Sequence, residues 1–441
     1  MSECSITKRR EARSKTRTEP LSNDGAHNSA ALPVKNIRNA IGRINTVSDW
    51  CSFDAGRLPI LVHCHLRWDF VWQRPQQIFS RLAAHHPILF TEEPMWEDGQ
   101  AHVRVSETYA NIFRLIPVLH PKYAMNVDAQ CEAVLPLLRS AVSEHPLLAG
   151  RFESPIQWFY SPLTAPSFLG QFGAASVVYD CMDELASFRF APPDMSLREQ
   201  FLLSRADVVF TGGYQLFESK CQRHPNVHFF GCGVDVDHFG KAALEETAVP
   251  AAVANLPGPI FGYFGVIDER LDYDLLTHLA KRRPEASIVM IGPLAKIERH
   301  MLPSLPNIHW LGQQAYSDLP AFVKAFDVCL MPFALNEATQ YINPTKTLEY
   351  MAAGKPIVST AVPDVVRNFT PIVDVARSHE EFVLAVERVH RSPSADFILQ
   401  GIERANAASW EGTVSAMRGY MLKSVQPFVE LAGQARSNAF P

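Results

Sequence analysis

From Arg57 onward, short apolar runs alternate with amphipathic stretches almost without a break. "LPILVHCHL" has the length and unbroken apolarity of a buried strand, and "RPQQIFSRLAAHH" behind it spaces its apolar residues as a helix does. "HPILFTEEP", "VRVSETY" and "NIFRLIPVL" continue as strands, and "CEAVLPLLRSAVSEH" as a helix. "PIQWFYSP", "ASVVYDCMDE", "ADVVFTGG" and "NVHFFGCGVD" add further strands, interleaved with the helices "LREQFLLSRA" and "YQLFESKCQRH". Strands and helices alternating at this interval predict a parallel sheet covered on both faces.

The pattern breaks at "GKAALEETAVPAAVANLPGP", which is rich in Ala and Pro, and then restarts. "IFGYFGVI", "ASIVMIGP", "NIHWLG", "DVCLMPF" and "KPIVST" are the strands of a second parallel sheet, with "YDLLTHLAKRRP" and "LPAFVKAF" among its helices. The sequence therefore predicts an α/β chain of two doubly wound, Rossmann-like domains facing across a cleft. Residues 1–50 form a tail, 51–240 the first domain, 241–415 the second, and 416–441 a C-terminal helix. In open sheets of this kind ligands bind beyond the carboxyl ends of the strands, and here the cleft between two sheets is the expected site.

Charge changes this picture only at the N-terminus. The 441 residues carry a net −5, but residues 1–50 hold nine Lys/Arg against five Asp/Glu. That tail is Ser-, Thr- and Arg-rich and poor in apolar residues, so we read it as disordered. It has no apolar core of a secretory signal. The charge gives no reason to expect nucleic acid as a partner, and no apolar run approaches the roughly 18 residues of a membrane span. The eight cysteines form no CxxC pair, as in reduced cytosolic proteins. "HCH" at 63–65 puts two histidines on one strand face, but no third metal ligand accompanies them.

The most informative segment is "YINPTKTLEYMAAGKPIVST", Tyr341 to Thr360. Asn343 is placed to cap a helix with Pro344 in its first turn, and Gly354 followed by Pro356 stops it. Lys346 then occupies the positive end of the helix, where a cation is unfavourable. It could pair with Glu349 at the surface, although Lys before Glu is the weaker order. Alternatively, an anion occupies the helix start, caged by Lys346 and Arg270, with Glu349 one turn deeper to accept ribose hydroxyls. The donor-side set on that reading is Glu349, Lys346, Arg270, Gly265, Thr345 and Asn343.

Other candidates come from the ends of the first-domain strands. "LRWDFVWQRP" crowds Arg67, Trp68, Asp69, Trp72 and Arg74 into one loop beyond His65, either as a packed aromatic loop or as an anion-binding platform. Asp183 and Glu184 follow a strand end and could orient a hydroxyl or cap a helix. Gly212 and Gly213 fit a tight strand-to-helix turn, and Gly233 and Asp235 fall near the domain junction. Asp183, His65 and Asp69 are the candidate acceptor or sugar contacts.

These segments together resemble glycosyltransferases of the GT-B fold, and "NPTKTLEYMAAGKPIVST" with "GCGVDVDHF" resembles their group-1 nucleotide-sugar transferases. "HLRWDFVWQRPQQIFSRLA", "EEP", "WFYSP", "YDCMDEL" and "ADVVFTGG" are similar to a bacterial subset acting in cell-envelope polysaccharide and teichuronic-acid synthesis. The likeness runs from about Leu58 to Trp410. It implies transfer of a sugar from an NDP-sugar, with UDP the expected nucleotide, to a glycan or lipid-linked acceptor. Glu349 would hold the ribose, Arg270 and Lys346 the diphosphate, and no metal or other cofactor would be needed. It implies retention of configuration and a cytoplasmic enzyme meeting its acceptor at the inner membrane face. It also implies that the C-terminal helix, 416–441, crosses back to the first domain. The chain departs from the family at three places. Tyr341 stands where a first glutamate is usual, Val266 follows Gly265 where an arginine is common, and Cys232 replaces an asparagine. A sugar-nucleotide epimerase shares the architecture, and a non-catalytic NDP-sugar-binding scaffold would tolerate Tyr341. No G-x-G-x-x-G with a suitably placed acid supports a nicotinamide enzyme.

Overall fold

The computed structural model describes residues 55–188, 191–337 and 339–437, with side chains described as far as Val425. The tail expected to be disordered lies outside the described residues. Two sheets form. The first contains β1 (Ile60–His63), β2 (Ile88–Thr91), β3 (Met95–Trp96), β4 (His102–Tyr109), β5 (Ile112–Leu119), β6 (Ile156–Phe159), β7 (Ser176–Cys181), β8 (Val208–Thr211) and β9 (Val227–Phe229). The second contains β10 (Ile260–Phe264), β11 (Ser287–Ile291), β12 (Ile308–Gly312), β13 (Val328–Met331), β14 (Ile357–Thr360) and β15 (Asp374–Ala376).

Nearly every pairing is parallel, and strands such as β1, β10 and β13 are buried along their whole length. That burial is why they read as unbroken apolar runs rather than as alternating ones. The second sheet has the order β12-β11-β10-β13-β14-β15, so the chain reverses direction across the sheet between β10 and β13. The first sheet reverses in the same way between β1 and β6. Each reversal opens a crevice at the carboxyl ends of the strands.

One pairing departs from the parallel expectation. β4 runs antiparallel to β5, and only Ala110 and Asn111 connect them. So short a link permits only a hairpin, and Asn111 turns it with φ 65.

The core of the first domain is not closed by its own segment alone. Trp410, Val414, Met417, Met421 and Val425, on the helix Trp410–Ser437, pack with Ile60, Ile78, Phe79, Trp158 and Phe210. At the start of that helix the chain is tightly seated. A Cβ on Gly233 would come within 2.8 Å of the Trp410 ring, so only glycine fits there.

Candidate active site

The two sheets face each other across a cleft enclosing about 1720 Å³, counting space open to solvent. Asp69, Asp183, Gly265, Arg270, Asn343, Thr345, Lys346 and Glu349 all line it. Of the six donor-side residues and the three acceptor or sugar contacts expected from the sequence, His65 alone does not. It lines a separate hollow in the first domain.

The donor side is built around two glycines. Gly265 follows β10 and Gly292 follows β11, with φ of +146 and +150, a region that other residues rarely adopt. The Lys346 side chain occupies the space a Gly265 Cβ would need, with Cε only 2.0 Å from that position. Likewise, a Cβ on Gly292 would strike the Gly265 carbonyl at 1.8 Å. The sequence singled out Gly265 but passed over Gly292, whose requirement appears only when the two strand ends lie side by side. Lys346 thus threads across the mouth of β10, its ammonium 5.8 Å from the Tyr263 ring centre. Burial and Arg270 lower its affinity for its proton, while Glu349 works against that. Burial raises the Glu349 carboxyl to about 7, with Lys346 opposing. Lys346 and Glu349 do not form the surface ion pair that the bland alternative required. Among the described residues no carboxylate lies within salt-bridge distance of Lys346.

The helix itself differs from expectation. It spans Lys346–Ala352, starting three residues beyond Asn343. Asn343 does not cap it, because its side-chain amide donates to the Gly212 carbonyl of the first domain at 3.0 Å. Thr345 precedes the helix with helical backbone angles and makes no capping bond. A helix of seven residues contributes little dipole, so positive charge at this end comes chiefly from side chains. Arg270 is one source, but its guanidinium is forked onto Asp268 at 2.7 and 3.0 Å. Asp268, which nothing in the sequence singles out, partly offsets that charge. Among the described residues lining the donor side, Lys346 is therefore the cation without an ion-pair partner.

On the first-domain side the loop arginines are occupied. Arg67 pairs with Glu92 at 3.1 Å. Arg74 is buried against Asp180 at 2.8 Å and also donates to the Phe230 carbonyl. The anion-binding reading of that loop is thus replaced by a structural one. Arg114 pairs with Asp69, which leaves that exposed carboxylate a weak candidate for substrate contact. Glu184 is also committed. It accepts from Lys220 Nζ at 2.6 Å, and the same fully buried ammonium reaches Glu199 at 2.7 Å. Asp183, next to it, makes no ion pair among the described residues and faces the cleft. Burial raises its carboxyl above the ordinary value against the pull of Arg270 and Lys296.

The two faces are pinned together beside this site. Asp364 of the second domain accepts from the Tyr214 N–H at 2.7 Å, at the start of the helix Tyr214–Cys221. The Arg367 guanidinium lies 3.3 Å from the Tyr214 ring centre, and Cys232 donates weakly to the Asn343 carbonyl at 3.4 Å. Burial pushes the Cys232 thiol up to about 12, so it is no nucleophile at neutral pH. The Tyr341 ring packs against the first-domain core and is not part of the cleft wall. The histidine pair is likewise structural at one member. His63 is stacked on Phe159, its ring centre 4.5 Å away, and burial lowers its pKa to about 3.

Residues 259–392, which contain Gly265, Arg270, Lys346 and Glu349, match the family model described as glycosyl transferases group 1. That segment carries a group-1 glycosyltransferase domain, in a chain of GT-B fold. The chain is 25% identical over 232 residues to TuaH of Bacillus subtilis (strain 168), a protein named for glycosyl transfer in teichuronic acid biosynthesis. That alignment covers 48% of this chain and 58% of TuaH, a little over half of the relative's length. Solved structures extend the likeness in fold. Sucrose-phosphate synthase from Thermosynechococcus elongatus superposes with a TM-score of 0.61 at 16% identity, covering 82% of this GT-B chain and 98% of the synthase. An E. coli trehalose-6-phosphate structure with bound UDP-2-fluoro glucose gives 0.60 at 13%, covering 82% and 99%. A UDP-forming trehalose-phosphate synthase from Burkholderia xenovorans, in complex with glucose-6-phosphate, gives 0.59 at 12%, covering 83% and 100%.

Proposed function

We propose that this protein transfers a sugar from an NDP-sugar, most simply UDP-linked, to a hydroxyl of a glycan or lipid-linked acceptor. The observation that carries the proposal is the Gly265–Lys346–Glu349 arrangement at the strand-order reversal of the second sheet. An ammonium free of ion pairs crosses a strand end that only glycine can vacate, and a carboxylate lies one helical turn deeper. Diphosphate on Lys346 and ribose on Glu349 fit that order of groups. Named UDP complexes and UDP-forming synthases among the neighbours in fold support UDP as the nucleotide.

In the reaction the bond from the anomeric carbon to the diphosphate oxygen breaks, and a bond to the acceptor oxygen forms. Lys346, with the remaining charge of Arg270, stabilises the negative charge that develops on the departing diphosphate. The acceptor proton leaves toward that diphosphate, so no strong base is needed, and configuration is retained. Asp183, across the cleft, accepts a hydrogen bond from the acceptor hydroxyl or the donor sugar.

The test is thermal stabilisation by a panel of nucleoside diphosphates and NDP-sugars on wild type and Glu349→Ala. A ligand at a hundred times its Kd adds about 2.7 kcal/mol. The proposal expects one nucleotide to raise the melting temperature of wild type and not of Glu349→Ala. Absence of any nucleotide response sinks it. Tyr341 favours the alternative of a non-catalytic NDP-sugar-binding scaffold, which predicts nucleotide binding with no turnover of the donor.

A further inference from the structure

The hollow that contains His65 shares no lining residue with the cleft. It opens where β1 and β2 end and β6 gives way to its loop, at the strand-order reversal of the first sheet, and encloses about 650 Å³ including its open mouth. Its depth is apolar, formed by Cys64, Cys131, Val134, Leu138 and Phe168, all of them buried. Burial keeps both thiols protonated, and a protonated cysteine packs as a small apolar group.

The rim is polar. His65 Nδ1 and Thr164 Oγ1 are buried there without a hydrogen-bond partner among the described residues. Two carboxylates, Glu92 and Glu93, also line the hollow, and no Lys or Arg does. Arg67 already pairs with Glu92, so a phosphate placed inside would find no cation to contact among the described lining residues, which disfavours it. The hollow nevertheless adjoins the reaction side, because β6, which leads into Ser161 and Leu163 of the hollow, pairs with β7, which leads into Asp183 of the cleft. The charge of Lys296, from the second domain, acts on His65, on Glu93 and on Asp183. The rim and the cleft-facing carboxylate therefore lie under the influence of one cation. An apolar recess with a few convergent polar groups at its mouth is the usual form of a small-molecule site.

We infer that this hollow binds the apolar end of the acceptor, an aryl or alkyl group next to the sugar, while the reacting hydroxyl points toward Asp183. The inference rests on the transferase reading for its role, but binding can be tested without the donor. Calorimetry on the full chain would compare n-hexyl with methyl β-D-glucopyranoside, and the matching N-acetylglucosaminides, below the micelle concentration of the hexyl compounds. At least one hexyl glycoside should bind tenfold or more tightly than its methyl partner, because buried methylenes each add severalfold to affinity.

Val134→Phe fills the depth and Leu163→Trp the mouth, so either should reduce that advantage below threefold while leaving the UDP-induced melting shift intact. If Val134→Phe does not fold, Leu163→Trp carries the test. Equal affinity of hexyl and methyl compounds in both sugar series overturns the inference. So does a hexyl advantage that survives the filling substitution, or tighter binding of glucose 6-phosphate than of either hexyl glycoside. Loss of the UDP response in wild type, with the hexyl advantage present, would instead count against the transferase reading alone.

Discussion

Glu349 is the residue whose chemistry can be followed most directly. Its carboxyl ionises near neutrality because burial raises it from 4.5 to about 7. A carboxyl raised in the folded chain holds its proton more tightly there than in the unfolded chain. Its contribution to stability is full below 4.5 and fades as the pH rises through about 7. Glu349→Gln should therefore melt above wild type at about pH 8, and the difference should shrink toward zero near pH 4. Melting scans across pH would read this, and a flat difference would show that burial does not govern the group. UDP affinity should move the opposite way in wild type, falling as the pH drops below about 7, since ribose needs the carboxylate. Lys346 and Glu349 were visible in the sequence because a cation in the first turn of a helix is an anomaly. Asp268 was not, because nothing in "DERLD" tells which acid will fold back onto Arg270. Arg67, Asp69 and Arg74 misled for a similar reason. Their partners Glu92, Arg114 and Asp180 lie 25, 45 and 106 residues away, and spacing carries no trace of such pairs.

At the scale of elements, the strands were readable because buried parallel strands are continuous apolar runs bounded by turns. The hairpin of β4 and β5 could have been told from its two-residue link, whereas the start of the Lys346–Ala352 helix could not. Asn343 has the chemistry of a cap, and only the approach of Gly212 from the other domain diverts it. The Asp183 loop shows how one element fixes another. Lys220, on the helix Tyr214–Cys221, holds Glu184 and Glu199 together with no exposure of its own, and Tyr179 donates to Glu199 at 2.9 Å. Lys220→Met would strip Glu184 of its cation and leave Glu199 only Arg223, at a cost of about 3–5 kcal/mol. Urea denaturation should show that loss. Lys220→Arg, which keeps the charge, should recover part of it, and equal stability of the Met variant would refute the account.

For the whole molecule, the two-sheet plan followed from the restart of alternation after residue 259, but the share of the last helix in the first core did not follow from pattern alone. Truncation after Ser409 removes five buried side chains, each worth about 1.5–3 kcal/mol, which together are comparable to the whole stability of an ordinary domain. The truncated chain should lose the cooperative melting of its first domain, as seen by calorimetry. An unchanged melting temperature would show that the helix only decorates the surface. The closing of that core also has a consequence for the order in which the protein takes shape. A ribosome that has finished residues 55–229 has made every strand of the first sheet, yet not the side chains from Trp410 to Val425 that seal it. The strands, helices and core of the second sheet are complete by Ala408. The domain encoded first is therefore completed last, and the nascent chain must keep Ile60, Phe79 and Trp158 from aggregating until its final helix arrives.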